Sequence, residues 1–383
     1  MKKIIFVSHE ATLTGAPILL LNIIRCLRGE LREDFIVVLG KDGPLRPQFE
    51  ELAHVVVAPS LLASGRFANN LRRLRLLNSY NNRRRKNALS FENVKVIFSN
   101  TIVNGKLVEE ILSFNKARVI TYVHELAYTI QTFNSAEINK ALQQTSLFLA
   151  GSNAVLQNLL SLGVANDLVH VVPSSIPVAA ITEKLAITDV DSIRASLCLQ
   201  PHEQLIVAVG TADWRKGNDL FIQMAARLVQ MQPQLHFAWV GVSAGTLEHL
   251  RMRYEIEHYH LDGRVHLVAV TPDYLNYIAA AELFVLTSRE DPFPLVVLEA
   301  AAAGKPIVCF ADSGGTPGFV GVKNGTVVPY GDVIALSDAI EALLQDSSMR
   351  YRKGEHARIT VQSEYDTPQV AVRIARLIAL EHA

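Results

Sequence analysis

Two carboxylates, Asp291 and Glu299, stand with seven residues between them in the stretch Thr287–Phe310, TSREDPFPLVVLEAAAAGKPIVCF. Between them the chain has to start a helix. Pro292 and Pro294 forbid a helix through the loop, and Pro294 suits a first helical position, where a missing N–H costs nothing. The pattern predicts a helix over Leu295–Ala303, stopped by Gly304. Its free N–H groups near Leu295, Val296 and Val297 favour an anion. A phosphate sits badly beside two carboxylates unless those acids bind something else, and sugar or ribose hydroxyls suit them. The spacing alone also allows a solvated loop acid at 291 and an exposed helix charge at 299.

The acids are positioned by a strand–loop–helix–strand unit. Leu283–Leu286 is a buried apolar strand, and Lys305-Pro306 leads into a second one, IVCF. The same grammar opens the chain. Lys3–Ser8 reads as a strand, HEATLTGAP as a loop and Ile18–Leu27 as an apolar helix, the first βα unit of a doubly wound sheet. The dinucleotide fingerprint GxGxxG is absent, and Gly15 alone stands in that turn, where a tight bend would also explain it. Further strands are expected at Phe35–Leu39, His54–Ala58, Val94–Phe98, Val119–Val123, Leu147–Ala150, Val169–Val172, Leu205–Val209, His236–Val240 and Val265–Val268. Polar groups gather at their carboxyl ends: His9 and Glu10, Ser99 to Thr101, and His124-Glu125. The fold class is therefore α/β.

The 383 residues exceed one compact domain and predict two. Hydrophobic content of 49% is ample for two cores, and 37 basic residues balance 37 acidic ones, so no bulk affinity for nucleic acid is implied. The three cysteines, Cys26, Cys198 and Cys309, form no CxxC pair and suggest neither a disulfide framework nor a zinc site. Cys26 and Cys309 lie in apolar contexts and are expected in the core. The apolar run at the N-terminus is too short for a signal peptide, and none approaches the roughly twenty residues of a membrane span. A cytoplasmic protein is expected.

The Asp291–Glu299 pair, with the strand before it and the helix between, resembles the signature of the retaining GT-B glycosyltransferases of family GT4. That family usually has Glu first, so Asp291 is shorter by one methylene. The resemblance implies two Rossmann-like domains facing across a cleft, 1–177 for the acceptor and 178–366 for a nucleotide sugar. A C-terminal helix over 367–383 would cross back to the first domain. It places Lys216, with Arg215 standing in for the family's Arg at the Thr211 position, on a diphosphate. A basic turn capping the next helix is the plainer explanation of that pair. Asp291 would take sugar hydroxyls and Glu299 ribose hydroxyls. Phe293, Pro294, Leu295 and Val296 would meet the nucleotide sugar at the helix mouth, and Val270 and Leu275 would frame the base with backbone contacts. In the first domain, Gly15 would let donor phosphate and acceptor approach, and His124 would stand near the reacting sugar; a structural histidine is the alternative there.

The implied reaction is a metal-independent transfer of a hexose-type sugar to a glycan or lipid-linked acceptor in cell-surface polysaccharide synthesis. It keeps the anomeric configuration and needs no cofactor. The rivals are a sugar-nucleotide epimerase on the same fold, a phosphorylase, whose pyridoxal lysine context is not found, and a non-catalytic partner subunit. Asp189 and Asp191 form a DxD match, but they precede SIRASL rather than follow a buried strand, so Asp191 reads as a helix-start acid. The segment Arg66–Lys86 holds eight Lys/Arg and no acid, with Leu71, Leu74 and Leu77 at helical spacing. It suits either an anionic membrane surface on the inner face of the plasma membrane or a solvated excursion.

Overall fold

The computed structural model describes residues 2–58, 68 and 77–380. The chain divides into two compact units, one of Met1–Pro173 with Thr367–Ala383 and one of Ser174–Asp366. The break falls at Pro173, short of the expected Pro177. The reason is local: Ile176 N donates to Tyr365 O at 3.1 Å and Val178 N to Asp366 Oδ1 at 3.0 Å, so the chain enters and leaves the second unit side by side.

The first unit is built on a parallel sheet of seven strands: β1 (Lys3–Ser8), β2 (Asp34–Leu39), β3 (His54–Val57), β4 (Val94–Ser99), β5 (Arg118–Val123), β6 (Leu147–Ala150) and β7 (Val169–Val171). Their order is β3-β2-β1-β4-β5-β6-β7. The helix after β1 is longer than its sequence pattern suggested, Gly15–Glu30. It packs on the C-terminal helix Thr367–Ala379, where Val370, Ile374 and Ile378 repeat every fourth residue and are buried. Arg118 fixes the end of that helix by donating to the carbonyls of Leu377 at 2.6 Å and Leu380 at 2.7 Å, a cation where the helix dipole is negative.

The second unit has six parallel strands: β8 (Gln204–Val209), β9 (Leu235–Val240), β10 (Val265–Val268), β11 (Leu283–Leu286), β12 (Ile307–Phe310) and β13 (Gly325–Val328). Their order is β10-β9-β8-β11-β12-β13. Both faces are covered, which is why the strands read as unbroken apolar runs. Leu205 and Val207 join Phe284, Leu286, Ile307 and Cys309 in one core. Ile206 and Ala208 join Leu283, Val285, Val308 and Phe310 in the other, the two-residue period of a strand buried on each side. In both sheets the order reverses beside the unit's first strand, between β1 and β4 and between β8 and β11. Doubly wound sheets bind ligands in the crevice at such reversals, outside the strands' carboxyl ends.

Several expectations need correcting. Pro294 is not the first helical residue but the cap before it, with an extended ψ of 133°; the helix is Leu295–Ala302. Asp191 is an acid of the first turn of the helix Val190–Ser196, as expected of a helix-start acid, and the cap itself is Asp189, accepting from Ser192 N at 2.9 Å. Cys26 is only half-buried, while Cys309 is in the core. Of the basic segment Arg66–Lys86, only Ala68 and the part within the helix Leu77–Leu89 are described; Leu71 and Leu74 lie outside the described residues. Among the described residues no helix is long and apolar enough to cross a membrane.

Gly354 offers a test of how the helix Ser347–Glu364 seats on its unit. A side-chain carbon there would overlap the Gly304 carbonyl oxygen and press Pro306 Cδ at 3.3 Å. Alanine gains about 1 kcal/mol in helix propensity over glycine, but overpacking against backbone costs about 1–3 kcal/mol. Gly354→Ala is therefore expected to lower the thermal unfolding midpoint; an unchanged or higher midpoint would show that the helix slides freely.

Candidate functional site

The second unit brings four of the predicted side chains to its switch point. The loop after β8 runs from Gly210 into a short turn, Trp214–Lys216, capped by Asp213, whose Oδ1 accepts from Lys216 N at 2.9 Å. Gly217 ends the turn with φ +69°, and a side-chain carbon there would run into the Thr287 carbonyl. That glycine therefore lets the β8 loop lie directly on the end of β11. Thr287 Oγ1 donates to Lys216 O at 3.1 Å, and Arg289 N donates to Arg215 O at 2.7 Å. The two loops are stitched through backbone before any side-chain charge is considered.

Across this seam lie the charges. Lys216 Nζ donates to Asp291 Oδ2 and forms an ion pair with it. Arg215 Nη1 is 3.8 Å from Asp291 Oδ1 and donates to Glu290 O at 2.9 Å. Ser288 Oγ reaches Asp291 Oδ2 at 3.3 Å. The acid's backbone is held as well, donating to Ser313 O at 2.6 Å and accepting from Gly315 N at 3.2 Å. Asp291 is 5% exposed, so it is not a solvated loop acid. Beside it Arg289 pairs with both oxygens of Asp219 and lies over the Trp214 ring at 5.0 Å.

Glu299 lies on the next helix and has the opposite problem. It is 7% exposed and has one hydrogen-bond donor, Tyr274, whose hydroxyl meets Oε1 at 2.8 Å. Among the described residues its Oε2, which is buried, has no partner. Burial pushes the carboxyl up to about 7, against the Tyr274 hydrogen bond and the Lys184 charge, which pull it down. A buried carboxylate oxygen without a donor costs free energy, and a ligand hydroxyl would remove that cost.

The other predicted contacts divide by burial. Leu295 and Val296 are half-buried at the mouth of their helix and pack against the core, with N–H groups that no preceding turn can accept. Val270 is 68% exposed, whereas Leu275 is 4% exposed and belongs to the core, which leaves only its backbone for a ligand. Phe293 is also a core side chain, its ring 6.1 Å from Phe319 and 5.5 Å from Tyr365. It anchors the loop from below. Among the described residues, no three His, Cys, Asp or Glu side chains gather as metal ligands.

In the first unit, Gly15 is the first residue of its helix and has no positive φ. A side chain there would meet nothing within 4 Å, so neither a tight turn nor packing demands glycine. His124 follows β5, with its ring 4.1 Å from Tyr122 and Nε2 at 3.3 Å from Asn100 Oδ1. Burial, helped by nearby His9, pulls its imidazole down to about 3, so it is neutral at neutral pH. Asn100 in turn donates to Ala16 O at 2.8 Å, tying the loop after β4 to the helix after β1. His9 pairs with Glu10 at 3.3 Å, and Glu10 accepts from Thr12 at 2.6 Å.

Sequence reasoning missed Ser288 and Tyr274. Ser288 stands three residues before Asp291 in the same strand-end loop, which is a usable signal. Tyr274 comes from another helix, and no spacing links it to Glu299.

Residues 189–360 match the family model described as glycosyl transferases group 1. The chain is similar to the lipopolysaccharide core biosynthesis glycosyltransferase LpsE of Rhizobium meliloti, at 26% identity over 189 residues, 49% of this chain and 53% of that protein. It is also similar to a GDP-mannose-dependent monoacylated alpha-(1-6)-phosphatidylinositol monomannoside mannosyltransferase of Corynebacterium glutamicum. That match has 23% identity over 275 residues, 70% of this chain and 71% of that protein. The chain spans about half the length of the first curated relatives it matches. Among solved structures, Anabaena HepE in complex with UDP and glucose superposes with a TM-score of 0.80 at 20% identity, covering 99% of this chain and 100% of that one. The sheet orders and this superposition give the chain the GT-B fold, and its segment 189–360 is similar to the group 1 glycosyl transferases.

Proposed function

We propose that the protein is a glycosyltransferase that moves a sugar from a nucleoside diphosphate sugar to a glycan or lipid-linked acceptor. The observation that carries this reading is the unpartnered, buried Oε2 of Glu299, one helix away from the Lys216–Asp291–Arg215 cluster. An acid short of donors fits ribose hydroxyls. Lys216 has three N–H donors and Arg215 five, enough to keep Asp291 and still meet a diphosphate. The open first turn at Leu295 and Val296 adds backbone donors. Asp291 is reserved for hydroxyls of the transferred sugar, a hexose.

The transfer then proceeds with retention and without a metal. The bond from the anomeric carbon to the phosphate oxygen breaks as charge builds on the diphosphate, where Lys216 and Arg215 oppose it. The acceptor oxygen bonds the same face of the carbon, and its proton passes to the departing phosphate. No protein nucleophile is assigned, so the two-carboxylate logic of glycoside hydrolysis is not used. In the first unit, neutral His124 and the space beside Gly15 are assigned to the acceptor and the reacting sugar. The relatives' names, which speak of lipopolysaccharide core and phosphatidylinositol mannoside, support a cell-surface acceptor. The Arg66–Lys86 segment is assigned to an anionic membrane surface.

A thermal-shift panel of UDP-, GDP-, dTDP- and ADP-sugars tests the donor class. One base series is expected to raise the unfolding midpoint, and silence across the panel would sink the reading. The ion pair gives a sharper test. Lys216→Ala removes a cation from the leaving group and strands Asp291 inside the protein. Turnover is expected to fall about 100-fold or more, and stability by about 3–5 kcal/mol. The double variant Lys216→Ala with Asp291→Ala should recover much of the stability and none of the turnover; recovery of both would make the pair purely structural. For the membrane assignment, flotation with anionic liposomes and none with zwitterionic ones is expected, and equal flotation with both would refute it.

A further inference from the structure

Glu299 is held by one group, and that group has no assigned role. Tyr274 opens the helix Tyr274–Ala280, and its ring packs against the same core that carries Leu295 and Val296. Its hydroxyl donates to Glu299 Oε1 at 2.8 Å, and Oε2 is left buried and unpartnered. A carboxyl on a helix turns about its own side-chain torsions unless something stops it. Here a donor on a separate, packed helix stops it, and it settles which oxygen is spoken for.

We propose that Tyr274 is a positioning residue of the nucleotide site: its phenol fixes one oxygen of Glu299 and thereby presents the other, Oε2, to the hydroxyls of a bound ribonucleoside diphosphate. This rests on the nucleotide-sugar reading above and names the part of the donor that Glu299 discriminates. A ribose offers hydroxyls to Oε2, and a 2′-deoxyribose offers one fewer. Two groups face the acid: Tyr274 through the hydrogen bond and Lys184 through its charge. Both favour the carboxylate over the acid, against the burial that disfavours it. Removing the phenol therefore moves Glu299's titration upward. A protonated carboxyl is the poorer acceptor, so nucleotide binding should weaken at neutral pH and return as the pH rises.

The test is the affinity of UDP, GDP and ADP, and of their 2′-deoxy counterparts, for the wild type, Tyr274→Phe and Glu299→Gln between pH 6 and 9. Thermal unfolding is run on each variant, and Tyr274→Phe keeps the ring and its packing. At pH 7 Tyr274→Phe should bind the preferred ribonucleotide about tenfold more weakly, with most of that loss recovered at high pH. Glu299→Gln should bind weakly at every pH. The penalty for a 2′-deoxy ligand should shrink in Tyr274→Phe, because the two changes act on one contact. If the wild type binds none of the six, the nucleotide-sugar reading fails. If it binds one and Tyr274→Phe keeps the same affinity, pH limb and deoxy penalty, the positioning role of Tyr274 is overturned while that reading stands.

Discussion

A carboxylate enclosed by protein needs cations and donors around it, and the second unit is arranged so that Asp291 has both. Lys216 reaches it from the loop after β8, while Arg215 and Ser288 flank it. These groups meet because β8 and β11 are neighbours in the sheet although the chain visits β9 and β10 between them. The seam is close because residue 217 has no side chain to hold Thr287 away. Sheet order, one glycine and one ion pair are thus a single constraint. Loosening any of them moves the cations and the acid together, which is why charge at this point cannot be altered without touching the fold.

The two acids are alike in burial and opposite in saturation. Asp291 has more partners than it needs, so a ligand there has to share or exchange hydrogen bonds with Lys216. Glu299 has fewer than it needs, so a ligand there supplies what the protein withholds. Glu299 has no cation in contact, and burial pushes its carboxyl up to about 7. Two carboxylates eight positions apart in sequence therefore do different work, set by their surroundings.

Much of this was legible in the sequence. The strands were legible because a sheet covered on both faces leaves unbroken apolar runs, as LIVAV and IVCF show. The glycine at 304 marked the end of its helix, and Lys216-Gly217 marked the turn that the structure places against the end of β11. What failed depended on the third dimension. The side chains of Leu275 and Phe293 pack into the core, which nothing in their local sequence marks. Tyr274 finds Glu299 across two helices, a meeting that no periodicity encodes. The helix starts at Leu295 as expected and ends one residue early, at Ala302, while Pro294 takes the cap, since a proline suits both the cap and the first turn and only ψ decides. The first unit's boundary moved because backbone bonds from Ile176 and Val178 to the chain's return segment outweigh the prolines between them.

The two sheets reverse at the same place in their order, and the loops at the two reversals differ in charge. In the second unit WRK follows β8 and SRED follows β11, so three cations stand at the crevice with the open turn of a helix nearby. In the first unit HEATLTGAP follows β1 and the residues Asn100–Asn104 follow β4, with no Lys or Arg among them. Asn100 bridges those loops with an amide where the second unit uses an ion pair. Its other neighbour, His124, is uncharged at neutral pH. At the second crevice the three cations are matched by Asp213, Asp219 and Asp291, so an anion there has to draw on donors that Lys216 and Arg215 have to spare, while at the first Glu10 disfavours it. Neutral hydroxyls meet donors and acceptors at the first without the cost of stripping water from a charge. The same scaffold, repeated, thus carries charged side chains at one reversal and mostly uncharged ones at the other, through the composition of two pairs of loops.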